Sequence, residues 1–522
     1  MNWKTTIGAA AAAIFALVGC SEPAPEPFGP CPSPRQVDWQ KMEMNMFCHF
    51  GPNTFTGLEW GEGTEPEDVF APSGLDCRQW ASIARRAGFR GIIITAKHHD
   101  GFCLWPNPES AHTVAQGSWK GDVLDSLSRA CAAEGIGMGI YISPWDRNDP
   151  RYGTPAYNEA FLRTLESALG SYGPIFEQWF DGACGEGPTG KRQVYDWPAF
   201  NAKVADLQPG AVVFSDVGPG CRWVGNESGR AGSTNWSTLV TDGFTPGAGA
   251  PPVDTLSSGN RARGSWIPAE ADVSIRPGWF FRESETPHLK SLTELLDIYY
   301  TSVGRGAVLL LNVPPDTRGL IHPADSARLM ELRAALDDIF ALDLASGGSV
   351  TASPLPDALT PTPQRSATAV FEAEAAREPA TAVFEAATAK EPATAKEPAT
   401  ATRKGKAFRA ANVLDGDFDT YWAAPDGVTT ACLTIDLPGP RSFNRVMLQE
   451  YIPLGQRIAS FEVEVLGLDG DWHTLECGTT VGYKRILLVP ETTATALRIR
   501  ITSALASPTL SRISLFQDNY LP

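Results

Sequence analysis

Basic side chains are scarce in this chain. Lys and Arg together number 43 against 60 Asp and Glu, a net charge of −17 over 522 residues. Binding nucleic acid needs a basic face against phosphate, and there is no surplus here to build one. Long apolar runs are missing as well. The run Ile7–Val18 falls short of the ~20 residues that cross a bilayer as a helix. No C-x-x-C pair or Cys/His spacing of the zinc type occurs. Ten cysteines include Cys20, which leaves nine, an odd number that cannot all pair. Most of them, such as Cys48, Cys103 and Cys131, sit in apolar stretches where a free thiol behaves as a small hydrophobe. No disulfide framework is expected. No G-x-G-x-x-G follows the first strand, so nothing favours a dinucleotide fold.

What is present is ordinary globular material, 43% hydrophobic and 20% charged, enough for two or three domains or one barrel with a satellite. The 15 Trp, 11 Tyr and 24 Phe suit a sugar-binding cleft as well as a large core. Residues 1–20, MNWKTTIGAAAAAIFALVGC, place one Lys before a short apolar stretch, the pattern of a secretory signal peptide. Its ending, Leu17-Val18-Gly19-Cys20, resembles the bacterial lipobox, in which the Cys is lipidated and becomes the new N-terminus. Residues 1–19 are therefore expected to be cleaved and 20–37 to form a Pro-rich tether. The product is an exported bacterial lipoprotein at the periplasm or cell surface, meeting the membrane only through its lipid.

From residue 38 to 343 short apolar runs alternate with helical patterns. Strands are expected at Met44–Phe50, Gly91–Thr95, Gly137–Ser143, Phe176–Asp181, Val212–Val217, Val273–Arg276 and Ala307–Val313, with an eighth near Asn235-Trp236-Ser237. Helices are expected at Cys77–Ala87, Val123–Glu134, Tyr157–Tyr172, Phe200–Leu207, Ser291–Thr301 and Pro323–Leu342. This alternation predicts an α/β domain, a (β/α)8 TIM-like barrel, with a doubly wound open sheet as the alternative. Residues 344–522 read as an all-β sandwich, with runs such as CLTIDL, ASFEVEVLG and ALRIRIT. Residues 357–402 interrupt it with low-complexity sequence: ATAVFEA at 367–373 and 380–386, and EPATA beginning at Glu378, Glu391 and Glu397.

Barrel chemistry gathers where strands end. His49 ends strand one, Lys97-His98-His99-Asp100 follows strand two, and Tyr141 and Ser143 end strand three. Asp181 ends strand four, Asp216 and Glu227 follow strand five, Trp279 follows strand seven, and Asn312 ends strand eight. Asp181 and Glu227, read as coming from adjacent strands, can face one bond, as glycoside hydrolysis requires. A capping role for Asp181 stays open on pattern alone. His49, His98 and His99 suit a metal cluster as well as hydrogen bonds to sugar hydroxyls.

The segments FCHFG, AKHHDGFCLW, YISPW, WFDG and LLNVPP, at residues 47–51, 96–105, 141–145, 179–182 and 310–315, together resemble the α-L-fucosidases of glycoside hydrolase family 29. The likeness spans residues 35–343. RWVGNE and EADVSIRPGW (270–279) resemble the subfamily that cleaves α-1,3 and α-1,4 fucose from branched, Lewis-type glycans. A broad-specificity fucosidase is the alternative, and a non-catalytic fucose-binding protein a further one. The resemblance implies a retaining mechanism with Asp181 as nucleophile and Glu227 as acid/base, Glu270 being the rival acid. It implies a fucose pocket of His49, Glu59, Trp60, His98, His99, Tyr141, Trp179 and Trp279. Arg222 is a weaker candidate, and Trp105 is either pocket wall or core. It implies no metal and no cofactor, and a fucosylated oligosaccharide or glycoprotein glycan as partner. NVLDGDFDTYW, at 412–422, resembles the early motif of discoidin-type, galactose-binding-like sandwiches; its Asp415, Asp417 and Asp419 either hold calcium or form an Asp-rich turn.

Overall fold

The computed structural model describes residues 24–355 and 408–521. The leader, Cys20 and the low-complexity stretch lie outside the described residues.

Eight parallel strands close on themselves: Met44–Cys48, Gly91–Lys97, Gly137–Ile142, Ile175–Trp179, Val212–Ser215, Cys221–Trp223, Ala269–Ser274 and Val308–Asn312. Strand eight returns to strand one through pairs such as Asn45 with Leu310 and Phe47 with Asn312. Packed helices cover the outside and side chains fill the inside, so both faces of a strand are dry and the sequence runs apolar without alternation. Ile92, Ile93 and Ile94 are all buried for this reason. Ile93, Val212, Cys221, Val308 and Leu310 share the interior with the rings of Phe47, Tyr141, Trp179 and Phe214. Trp39, from the helix Pro34–Gln40 that precedes strand one, closes the amino-terminal mouth.

Helix boundaries follow local chemistry. Asp76 accepts the Arg78 N–H at the start of Cys77–Ala87, and Gly88 ends that helix at φ 90°. Asp122 caps Val123–Glu134 by accepting the Asp125 N–H. A side-chain acceptor satisfies one of the backbone donors a helix start leaves bare.

One expected strand is corrected. Asn235–Ser237 is not in the barrel; the following Thr238–Leu239 forms a small antiparallel ladder with Ser265–Trp266. The missing strand is Cys221–Trp223, three residues long, and no helix separates it from strand five. A turn at 216–220 connects the two, and a side chain on Gly220 would meet the Val213 backbone nitrogen at 2.5 Å. Glu227 therefore follows strand six, and the strands of Asp181 and Glu227 are not adjacent.

In the C-terminal domain the sheet order is Ser349–Ser353, Ala431–Gln449, Arg485–Ala504, Ile458–Leu466 and Trp472–Gly478, with Arg512–Phe516 added to the second of these. Ser349–Ser353 pairs antiparallel with residues 432–436, so chain from both sides of the low-complexity stretch shares one sheet. Asp415, Asp417 and Asp419 form a turn: Asp415 accepts the Asp417 N–H and the Thr420 hydroxyl, and Asp417 accepts the Asp419 N–H. Trp422 is core. The nine described cysteines are free thiols.

The two domains share packing. Met447, Ile486, Phe516 and Leu521 belong to the barrel's main core cluster. Asp518 accepts the Tyr300 hydroxyl at 2.8 Å and pairs with Arg445 at 2.7 Å, in a buried contact between domains.

Candidate active site

The carboxyl ends of the strands carry a dense polar cluster. Lys97 ends strand two with its ammonium buried. It donates to the carbonyls of Ser143 (2.9 Å) and Trp145 (3.2 Å) and pairs with Asp146 at 3.0 Å. Burial alone would raise the Asp146 carboxyl. The Lys97 charge and the Asn148 and Asp149 N–H groups outweigh it and hold the group below its ordinary range. This stitch ties the ends of strands two and three and sets the direction of the two histidines that follow.

The histidines are neutral. Burial lowers His49 to about 3 and His99 to about 4, and pushes His98 well below its ordinary value. Asn312 orients His49. Its amide nitrogen donates to Ser274 Oγ (2.9 Å) and the Trp279 carbonyl (2.8 Å), so its oxygen is left to accept from His49 Nδ1 at 2.9 Å. His49 Nδ1 then carries the proton and Nε2 is an acceptor for a hydroxyl. His99 Nδ1 meets Ser143 Oγ at 2.8 Å, and its Nε2 stands 3.7 Å from Asp181. His98 Nδ1 is buried with no partner among the described residues.

Asp181 lies two residues beyond strand four. Its Oδ1 accepts the Ala183 N–H at 2.7 Å and its Oδ2 the Tyr141 hydroxyl at 3.0 Å. Tyr141 in turn stacks near Trp179, with centroids 5.2 Å apart, and Trp179 stacks on Phe214 at 3.9 Å and 7°. The carboxylate is thereby aimed from both sides. Glu227 is on an exposed loop, its Oε2 accepting Trp279 Nε1 at 3.2 Å. Asp181 and Glu227 line one cavity of about 180 Å³, with Trp179, Phe214, Asp216, Trp223 and Asp272 around them.

The loop after strand seven brings Trp279 over His49, ring centroids 4.9 Å apart. Glu59 reaches this loop and not the cavity: it accepts the Trp279 N–H at 2.6 Å and pairs with Arg282. Trp60 is 59% exposed and edges toward His99 and Trp145 at the rim. The loop's anchor is Arg276, whose fork bonds Asp325 at 2.9 and 2.8 Å, both side chains wholly buried. Arg276→Met strands a buried carboxylate, and about 3–5 kcal/mol of stability is expected to be lost, read by urea denaturation. Asp325→Asn in the same background is expected to recover part of it.

The fold thus brings together His49, His98, His99, Tyr141, Trp179, Asp181, Glu227 and Trp279, with Trp60 at the rim and Glu59 behind the loop. Arg222 is elsewhere: its guanidinium is buried against the carbonyls of Leu256, Ile267 and Trp236. Trp105 is core, its Nε1 donating to Ser167 Oγ at 3.0 Å. Glu270 is inside the barrel, accepting Trp179 Nε1 at 2.9 Å.

The α-L-fucosidase family pattern matches residues 28–337. The chain belongs to the α-L-fucosidase family. It is a glycoside hydrolase with α-L-fucosidase activity. α-L-Fucosidase 1 of Arabidopsis thaliana is 38% identical over 505 residues, covering 96% of this chain and 90% of that protein. A family 29 fucosidase of Ruminococcus gnavus, solved in complex with fucose, superposes with a TM-score of 0.77 at 30% identity, covering 95% and 97%. The crystal structure of SpGH29 gives 0.80 at 34%, covering 95% and 99%. The F5/8 type C pattern, of the discoidin-like kind, matches residues 392–514.

Two further acids line this fucosidase cavity: Asp216, placed at a strand end by sequence but given no role, and Asp272, not singled out. Asp272 is buried with Oδ1 on Trp223 Nε1 at 2.8 Å; burial and then Glu227 raise it to about 8. Burial and then Asp181 raise Asp216 to about 6. A carboxyl that stays protonated longer in the folded chain stabilises it fully below the ordinary value of 3.8, and that stability is lost as pH rises to about 8. Asp272→Asn is therefore expected to flatten the fall in stability between pH 4 and 8. At pH 8 it should add about 2 kcal/mol or more. Urea melts at a series of pH values check this; an unchanged slope would contradict it.

Proposed function

We propose that this fucosidase is exo-acting and retaining, and that it removes α-1,3/1,4-linked fucose from branched Lewis-type glycans. The observation that carries the reading is the placement of Asp181 and Glu227 on one cavity beside three neutral histidines. In the first step a carboxylate oxygen of Asp181 bonds to the anomeric carbon as the glycosidic bond breaks. Glu227 gives its proton to the departing oxygen. In the second step Glu227 takes a proton from water, the oxygen of that water bonds to the anomeric carbon, and the Asp181 ester bond breaks. Fucose leaves with its original anomeric configuration and both carboxyl groups return to their starting states. His49 Nε2 and the other imidazoles meet ring hydroxyls, while Trp279 covers the apolar sugar face. A small cavity of about 180 Å³ at the barrel mouth suits a single terminal sugar. The linkage preference rests on the EADVSIRPGW motif, whose Trp279 donates to Glu227.

Side-by-side assay of a Lewis-type trisaccharide, a 2′-fucosyl disaccharide and an aryl fucoside tests the specificity. Release from the Lewis substrate alone is expected. Ready release from either of the others would replace the linkage preference with the broad-specificity reading. Proton NMR of the first product formed tests the stereochemistry, with the α-anomer expected.

We also infer that residues 1–19 are removed and that Cys20 is lipidated, which anchors the enzyme at the periplasm or cell surface. Cys20→Ser is expected to move the protein from the membrane to the soluble fraction of the producing cell, read by immunoblot.

A further inference from the structure

Inside the barrel, below the cavity, lies a group of polar side chains that the reaction above does not use. Glu177 on strand four, Cys221 on strand six and Glu270 on strand seven bring a ligand atom each to within 4.8 Å of one another, all buried. Their oxygens can be accounted for one at a time. Glu177 Oε2 accepts Trp39 Nε1 at 2.7 Å, and Glu177 Oε1 accepts the Cys221 thiol at 3.6 Å. Glu270 Oε2 accepts Trp179 Nε1 at 2.9 Å. Glu270 Oε1 is buried and has no donor. The two carboxyl groups face each other with these atoms within 4.8 Å, close enough to pair once one of them carries a proton. Of the four oxygens, Glu270 Oε1 alone has no donor among the described residues and is the best placed to carry it.

We propose that Glu270 is a protonated positioning residue: its Oε1–H is donated to Glu177, while its Oε2 holds the Trp179 indole that walls the fucose site. This rests on the reading of Trp179 as part of that site.

Among the described residues no cationic side chain bonds either carboxylate. The charged and titratable neighbours are Cys221 and, one turn of the pleat further along strand seven, Asp272. Arg222, on the strand of Cys221, turns its guanidinium outward to backbone carbonyls. The rest of the interior is largely apolar, with the uncharged amide of Asn45 buried on the face of strand one that Phe47 shares. Two negative charges here would be buried without compensation, which a folded chain avoids by keeping a proton. Burial raises both carboxyls, Glu177 to about 7 and Glu270 well above its ordinary range.

The consequence runs upward. Trp179 stacks on Phe214 and neighbours Tyr141, whose hydroxyl bonds Asp181. A Trp179 ring without an acceptor for its N–H would have to turn or leave that donor unsatisfied, and the Asp181 oxygen would lose its fixed neighbour. The chain from Trp39 through Glu177, Glu270 and Trp179 to Tyr141 joins the barrel's floor to its working end.

Infrared spectroscopy and kinetics of the full chain test this. At pH 9, above the about 8 of Asp272, the protein is expected to show a neutral-carboxyl band that persists in Asp272→Asn and vanishes in Glu270→Gln. No band, or a band that survives Glu270→Gln, overturns the proposal. So does a stoichiometric metal ion released from the protein and lost with Glu270→Gln, since a cation there would displace the proton. In kinetics, Gln at 270 can both donate to Glu177 and accept from Trp179, and kcat/KM is expected to fall less than about threefold. Glu270→Met keeps the volume but offers no acceptor, and a loss of about tenfold or more is expected. Trp179→Phe should lose a similar factor, and the double variant no more than either alone. Met equal to Gln at 270, with Trp179→Phe impaired, overturns the pair but leaves the pocket intact. Trp179→Phe equal to the unaltered enzyme overturns the placing of Trp179 in the site, and the pair's role with it.

Discussion

Asp181→Ala is expected to lower fucose release by about 10⁴-fold or more while fucose still binds, because removal of a nucleophile leaves only positioning and electrostatic stabilisation. The neutral imidazoles of His49, His98 and His99 and the ring of Trp279 remain in place to hold the sugar. The alanine also frees the Tyr141 hydroxyl and the Ala183 N–H, so the loop after strand four has reason to shift. Asp181→Asn keeps an oxygen to accept the Ala183 N–H, and its amide nitrogen can donate to the Tyr141 oxygen, so it separates the chemistry from the geometry better than alanine. Turnover is read on the Lewis-type substrate and binding by titration calorimetry. More than a hundredth of normal turnover in Asp181→Asn would remove this carboxylate from the nucleophile's place.

Glu227→Ala should cost about 10²–10⁴-fold on a glycan, where the leaving sugar oxygen needs a proton. With a leaving group that departs without protonation, formation of the ester should be much less affected. Water attack on the ester also needs the base, so the ester should accumulate and be seen as added mass on the intact protein. Equal losses on both classes of leaving group would point to a structural role for Glu227. Trp279→Phe offers a graded comparison, since it removes the 3.2 Å hydrogen bond to Glu227 and keeps an aromatic face for the sugar. Its loss should fall between those of the unaltered and Glu227→Ala enzymes.

How far the sequence carries the fold depends on the element. Long buried strands such as Gly91–Lys97, and helices with an Asp cap and a Gly stop such as Cys77–Ala87, are legible because local chemistry marks them. Cys221–Trp223 is not: three residues after a tight turn show no periodicity, and Asn235-Trp236-Ser237 offers itself instead. That single displacement moved Glu227 one strand along without changing its place at the cavity. The acids of strand seven show a different limit. Glu270 and Asp272 are two apart on one strand and share a face. Depth along the barrel decides that one meets Trp179 and the other Trp223, and depth depends on how strands are staggered around the ring. The contact of Glu270 with Glu177, three strands away in order, follows from the same closure. The role of Glu59 is likewise tertiary, since its partners Trp279 and Arg282 are more than two hundred residues on.

The seam between barrel and sandwich bears on how such a chain can change over generations. An appended β-domain looks like a part that recombination could trade. Here Met447, Ile486, Phe516 and Leu521 complete the other domain's interior, and Asp518 is satisfied by Tyr300 across the seam. A crossover that brought in a foreign tail would inherit an oily, unmatched patch and a buried Tyr300 hydroxyl without its acceptor. Substitutions on one side must be answered on the other, so heredity treats the two domains as a single character, and a shortened enzyme made for use at the bench should be cut elsewhere.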